Sequence, residues 1–245
     1  MKYYILTFLL SCVLLPGTAQ TKKPVDSFNK VIISPHIEAI LVQGDEPSVT
    51  IKNCLVPEDK VNIEVKGNTL RVYLDDAKEL TKHEKVKHNR MKRKIPVYKG
   101  KILTVTIVYR DLKALSVRGE QTILCESPIT SEKFKLNLYG ESIMIFNKVM
   151  FTDFDVDIYG ESTLTVKEGN VHFQKVTSYG EGEVNLLSVN NKTTKLIAYG
   201  EADFNIQASE RIKFTAYGEA RLHYKGNPVI RKGLSFGKSR ITKIN

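Results

Sequence analysis

The tripeptide Tyr-Gly-Glu occurs five times in the second half of the chain, at Tyr139-Gly140-Glu141, Tyr159-Gly160-Glu161, Tyr179-Gly180-Glu181, Tyr199-Gly200-Glu201 and Tyr217-Gly218-Glu219, with glycines 20, 20, 20 and 18 residues apart. Degenerate copies flank the series at intervals of 21 and 19, Arg118-Gly119-Glu120 before it and Phe236-Gly237-Lys238 after it, which makes seven rungs. A fixed period near twenty residues with atypical end copies marks a solenoid, in which each coil buries its apolar face only against its neighbours.

The coil reads as β. Around the second glycine, Val156, Ile158, Gly160, Ser162, Leu164 and Val166 share one parity, and Asp157, Tyr159, Glu161, Thr163 and Thr165 share the other. That alternation has the period of a strand. The apolar parity is taken as interior, so the repeat glycines point inward at a pinched bend that has no room for a Cβ or needs positive φ. A second short β pattern, such as Phe151 to Asp157 or Arg211 to Thr215, completes each coil. No apolar run of helical period lies between the strands, so an α-containing leucine-rich coil fits poorly. The expected fold is all-β: a flattened, right-handed parallel β-helix of seven rungs over residues 116–245.

Residues 20–115 carry β signals without the repeat, in Val31-Ile32-Ile33, Ile37 to Val42, Val49-Thr50-Ile51, Val61 to Val65, Leu70 to Leu74 and Leu103 to Tyr109, separated by turn residues such as Gly44-Asp45 and Gly67-Asn68. They are expected to form an irregular β-rich cap on the open end of the solenoid. A basic segment, residues 82–101, interrupts them, and a short helix over Asp76 to Lys87 is one expectation for its start.

The first 19 residues read as a signal peptide. Lys2 precedes an apolar run from Tyr3 to Leu15, followed by Pro16, Gly17, Thr18, Ala19 and Gln20, with cleavage after Ala19 or Gln20. Thirteen residues are too few for a membrane-spanning helix. The weaker alternative is a lipoprotein box ending at Cys12. An exported chain, in the periplasm, at the outer membrane or on the cell surface, is the expectation. Removing the signal leaves Cys54 and Cys125, either paired or as two buried free thiols.

The formal charge of +10 comes from 37 Lys+Arg against 27 Asp+Glu. Within residues 82–101 nine bases (Lys82, Lys85, Lys87, Arg90, Lys92, Arg93, Lys94, Lys99, Lys101) face Glu84 alone, while the remainder sums to near zero. Without zinc spacing, an RNA-binding aromatic signature or a helix-turn-helix pattern, nucleic acid is not an expected partner. The plain reading of the segment is a solvated basic loop. An anionic envelope polymer, or the acidic face of a second copy, is the sharper one.

The segments Phe28-Asn29-Lys30-Val31-Ile32-Ile33, Ile37 to Gly44 with Asp45, and Asp111-Leu112-Lys113-Ala114-Leu115-Ser116-Val117 resemble the auto-transporter adhesin family with a head GIN domain. The resemblance covers roughly Ser27 to the C-terminus. It implies an exported, β-helical cell-envelope protein. The chain departs from the family pattern by placing Tyr where Ser is common before the repeat glycine, and by carrying the basic segment.

Rungs of a parallel coil rise ~4.8 Å each, so seven span about 29 Å and stack equivalent residues into columns. Tyr139, Tyr159, Tyr179, Tyr199 and Tyr217 form an outward aromatic column, and Glu141, Glu161, Glu181, Glu201 and Glu219 an acidic one. Tyrosines that stack on sugar faces, beside carboxylates that accept from hydroxyls, would make a glycan platform. The plainer alternative is rings stacked only because the repeat stacks them. Neighbouring carboxylates at that spacing repel by roughly 0.9 kcal/mol even in bulk water. No oxygen-rich calcium loop accompanies them, so neither metal nor cofactor is assigned. The alternative function is a polysaccharide lyase or hydrolase on a β-helix. Asp153, Asp155, Asp157 and Asp203 read as scattered, and His172 and His223 have no evident partner, so no catalytic residue is assigned. The expected function is a non-catalytic, adhesin-like binding module.

Overall fold

The computed structural model describes residues 21–88 and 91–245, and for residues 86–88, 91 and 92 the backbone alone. The signal segment, Cys12 and Arg90 lie outside the described residues. The chain is an all-β solenoid with two strands per coil, and helical structure among the described residues is confined to the single 3-10 turn Glu58–Lys60. In the repeat region each coil carries a long strand, such as Val149–Gly160, and a shorter one, such as Thr163–Val166. Long strands pair in parallel within a ten-stranded sheet and shorter ones within an eleven-stranded sheet.

The alternating pattern places one parity of both sheets in a shared interior. Leu136, Leu138, Val156, Ile158, Leu164, Val166, Leu196 and Phe204 are buried. Phe134 stacks on Phe151, one coil on, with ring centroids 4.7 Å apart. The sequence pattern runs unbroken through each glycine, yet the coil corner falls there. Val149–Gly160 ends at the glycine and the next strand begins at Thr163. Residues 160, 162 and 164 keep their parity around the corner, which is why periodicity alone reads the run as one strand.

Two properties make glycine obligatory at the corner. All seven ladder glycines have positive φ, from 92° at Gly140 to 137° at Gly218. At the six glycines after Gly119 a Cβ would also meet the carbonyl oxygen of the glycine one rung below, at 2.9 Å for Gly140, 2.7 Å for Gly180 and 2.8 Å for Gly200. The small residue that follows the corner is buried, and its polar atom is used: Ser142 Oγ lies 3.0 Å from Ser162 Oγ, which also donates to the Gly140 carbonyl at 3.0 Å.

The N-terminal strands join the same two sheets out of chain order. Lys30–Ile33 and Ile37–Gln43 pair in parallel with Ala114–Gly119 and Thr122–Cys125 on one side. On the other side they pair in parallel with Thr69–Leu74 and Leu103–Tyr109. Antiparallel strands then close that end: Ser48–Cys54 and Thr21–Pro24 on one sheet, Val61–Lys66 on the other. No helix forms over Asp76 to Lys87. Asp76 adopts φ 61°, which breaks a right-handed helix at its first turn, and His83–His88 pairs with Met91–Pro96 as a separate antiparallel hairpin. Cys54 and Cys125 are both free, and full burial holds the Cys125 thiol far above its ordinary pKa.

Gly160→Ala is expected to lower stability by about 1–3 kcal/mol from backbone strain alone, with the clash against the Gly140 carbonyl in addition. Gly67→Ala, at φ 58° but with nothing near a Cβ, is expected to cost about 1–2 kcal/mol. Urea denaturation of the two variants checks the order.

Candidate functional site

The register Tyr139↔Tyr159↔Tyr179↔Tyr199↔Tyr217 holds the five tyrosines in one column on the outer edge of the ten-stranded sheet. Successive ring centroids are 5.0, 4.9, 4.9 and 5.1 Å apart, with planes within 7° of parallel. The degenerate copies terminate the column. The Arg118 guanidinium sits 5.0 Å over the Tyr139 ring, and Phe236 stacks on Tyr217 at 6.0 Å. The faces of the inner rings are therefore occupied by one another. What the column offers to solvent is ring edges and phenol hydroxyls, so sugar faces have no open ring face along its length. Among the described residues no hydrogen bond engages any of the five hydroxyls. Desolvation, then Asp157 and the flanking tyrosines, raises the Tyr159 phenol above its ordinary pKa and keeps it a donor.

The glutamates follow around the corner. The backbone N–H groups of Glu141, Glu161 and Glu181 donate to the glycine carbonyl one rung below, at 3.0, 2.8 and 3.0 Å. All five carboxylates are exposed. Among the described residues only Glu219 has a base within ion-pair distance, Lys238 at 3.9 Å, and Arg221 also lies close enough to be affected by the charges of Glu201 and Glu219. Elsewhere on the coils acids meet bases from a neighbouring rung: Lys148–Glu168 at 2.7 Å, Lys175–Asp155 at 3.2 Å, Lys135–Asp157 at 3.5 Å and Arg221–Asp203 at 2.5 Å. Glu141, Glu161, Glu181 and Glu201 take no part in that pairing, and neither do coil acids such as Asp153, Glu183 and Glu210 among the described residues.

The acids that read as scattered are partly gathered. Asp153, Asp155, Lys113, Lys133, Lys135 and Lys175 line one depression of about 370 Å³ on the outer face of the ten-stranded sheet. Asp155 is paired there with Lys175, and Lys135 reaches out of it to Asp157. Of the basic segment, Lys82 is bound to Asp76 at 2.7 Å and Lys101 to Glu38 at 2.9 Å, while Lys85, Arg93 and Lys94 are exposed. The side chains of Lys87 and Lys92 lie outside the described residues.

A cavity of about 500 Å³ closes the head of the tyrosine column. Glu79 holds both Arg118 and Arg71, the latter at 2.6 Å. His36, at φ 69°, is fixed by contacts from its ring to Gly100 O at 2.7 Å and Thr81 Oγ at 2.6 Å. Leu80 stands 82% exposed at the rim. Sequence reasoning missed this cavity. Its one signal was Arg118 in the tyrosine position of the first degenerate copy, since Glu79, Leu80 and Thr81 arrive from a loop with no repeat.

Tyr179→Ala removes two stacked pairs and is expected to cost about 1–3 kcal/mol beyond area burial. Tyr139→Phe keeps its stack and should be near neutral in the same urea assay. The combined Glu161→Gln, Glu181→Gln and Glu201→Gln variant relieves like-charge repulsion and is expected to unfold at higher urea than the parent, by a margin that shrinks as salt is added.

Among the described residues no helix is long and apolar enough to cross a membrane. No curated protein matches the chain. Its fold matches three crystal structures titled as a "putative adhesin". For the protein from Bacteroides fragilis NCTC 9343 the TM-score is 0.71 at 20% identity, covering 94% of this chain and 99% of that one. For the one from Parabacteroides merdae ATCC 43184 it is 0.64 at 18% identity, covering 93% and 96%. For the one from Parabacteroides distasonis ATCC 8503 it is 0.65 at 18% identity, covering 92% and 96%. Residues 27–228, nearly the whole solenoid with its N-terminal strands, match the family described as "Putative auto-transporter adhesin, head GIN domain", and the chain belongs to that family.

Proposed function

We propose that this chain is an exported, non-catalytic binding protein of the cell envelope or surface, adhesin-like, which holds a hydroxyl-rich polymer, a glycan, along the tyrosine and glutamate columns. The observation that carries this reading is the acidic ladder, in which Glu219 alone has a base within ion-pair distance among the described residues, beside a row of unengaged phenol hydroxyls, in register over five rungs. A like-charge ladder disfavours the folded chain, and a ligand that takes up the carboxylates would offset that cost. The stripe supplies what a glycan needs: phenol O–H groups that donate and accept, and carboxylates that accept from sugar hydroxyls. With ring faces covered, contact runs along ring edges, and affinity accumulates from repeated hydrogen bonds. A linear β-linked pyranose chain advances per sugar by nearly the rung spacing, so successive sugars can meet equivalent residues. The family membership and the sequence features of a signal peptide support export.

The test is a glycan array with the parent protein and the triple Glu→Gln variant, whose fold the substitutions spare. Binding that falls at least about tenfold, equal to 1.4 kcal/mol, supports the stripe. Absent binding in the parent, or binding unchanged in the variant, refutes it. A polysaccharide-acting enzyme would instead depolymerise its ligand and lose that activity in Asp155→Asn.

A further inference from the structure

The near-zero charge of the chain outside the basic segment conceals a second basic pole. Residues 211–245 carry nine Lys and Arg against Glu219 alone. These residues build the last two rungs of the solenoid: Arg211–Tyr217 with Ala220–Lys225, and Val229–Phe236 with Ser239–Lys243. Arg221 and Lys238 have acidic neighbours. Arg211, Lys213, Lys225, Arg231, Lys232 and Arg240 have no carboxylate within ion-pair distance among the described residues. The same rungs hold a group of large apolar side chains left in water, with Val229 61%, Leu234 72% and Phe236 66% exposed. The opposite end of the solenoid is closed by antiparallel strands, whereas Val229–Phe236 and Ser239–Lys243 are each the last strand of their sheet.

We propose that the C-terminal end of the solenoid docks on an anionic lipid surface. The bases meet headgroup phosphates, while Val229, Leu234 and Phe236 enter the interfacial region, the combination that holds amphipathic protein surfaces on membranes. A soluble polyanion would satisfy the bases and leave the three apolar side chains in water. A second copy stacked tail to tail would bring two basic poles together. It would also meet a broken register, because Lys232 occupies the position that Phe214 fills as interior one rung below, and the pairing shifts between Phe214 and Ala216. End-on docking stands the solenoid away from the bilayer and leaves the tyrosine and glutamate columns facing outward along its side.

Co-sedimentation of the purified protein with vesicles tests this, using phosphatidylglycerol mixed with phosphatidylcholine against phosphatidylcholine alone. Binding is expected only to the anionic vesicles and is expected to weaken with added salt. Arg231→Glu with Lys232→Glu should reduce it by about tenfold or more. Leu234→Ser with Phe236→Ser, which leaves the charge unchanged, should reduce it several-fold. Lys85→Glu with Lys94→Glu, an equal charge change on the hairpin, should leave it within about twofold. The proposal is overturned by a lack of binding to anionic vesicles, or by an equal loss in the hairpin variant. It is also overturned if Leu234→Ser with Phe236→Ser binds as the parent does while heparin competes, which would make the pole a polyanion site. Concentration-dependent dimers that the same variant abolishes would place a second copy there instead.

Discussion

The ladder glycines stack carbonyl against backbone from coil to coil, the carbonyls of Gly119, Gly140 and Gly160 each receiving the N–H of the glutamate in the next coil, and that close approach governs the register of the repeat. It is possible only because the glycine above has positive φ and no Cβ to strike the same oxygen. Once the glycines are stacked, every residue at a fixed offset from them is stacked too. The corner thus converts a linear repeat into columns, and the chemistry of each column follows from the residue type the repeat places at that offset.

Identical residues in register are favourable or unfavourable according to their chemistry. Tyrosine gains, because parallel rings about 5 Å apart cover one another and seal the edge of the sheet. Serine at 142 and 162 gains, because hydroxyls can donate and accept within the pair. Glutamate loses, because a carboxylate can only accept and carries charge. Opposite charges on adjacent rungs relieve that conflict at Asp155 and Lys175, and at Asp203 and Arg221. Five successive glutamates offer no such alternation within their own column, so like charge accumulates along that one stripe.

Much of this was legible in the residues. Period, strand parity, interior set and columns follow from a twenty-residue repeat and a two-residue alternation. The pinched bend at each repeat glycine was legible too; that it ends one strand and starts another in the second sheet was not, because parity continues through it. Nor was the order of the N-terminal coils, in which Lys30–Gln43 lies between a later coil and the repeat, since pairing between non-repeating segments leaves no periodic trace. Charge showed the same limit. A sum along the chain found the basic segment at residues 82–101, whereas the pole at residues 211–245 was cancelled in that sum by acids that the fold sets elsewhere.

The amino-acid sequence by itself determined that the chain is a β-solenoid with tyrosine, glycine and glutamate in columns, because a local repeat implies equal geometry at equal positions. Only the tertiary structure decided which surfaces those columns present. Ring faces are buried in the stack, Arg118 and Phe236 end it, Glu79 and His36 wall its head, and the last rung is left basic and apolar. Each of these depends on side-chain orientation, or on contact between segments distant in the chain, and such contacts are set by packing rather than by local pattern.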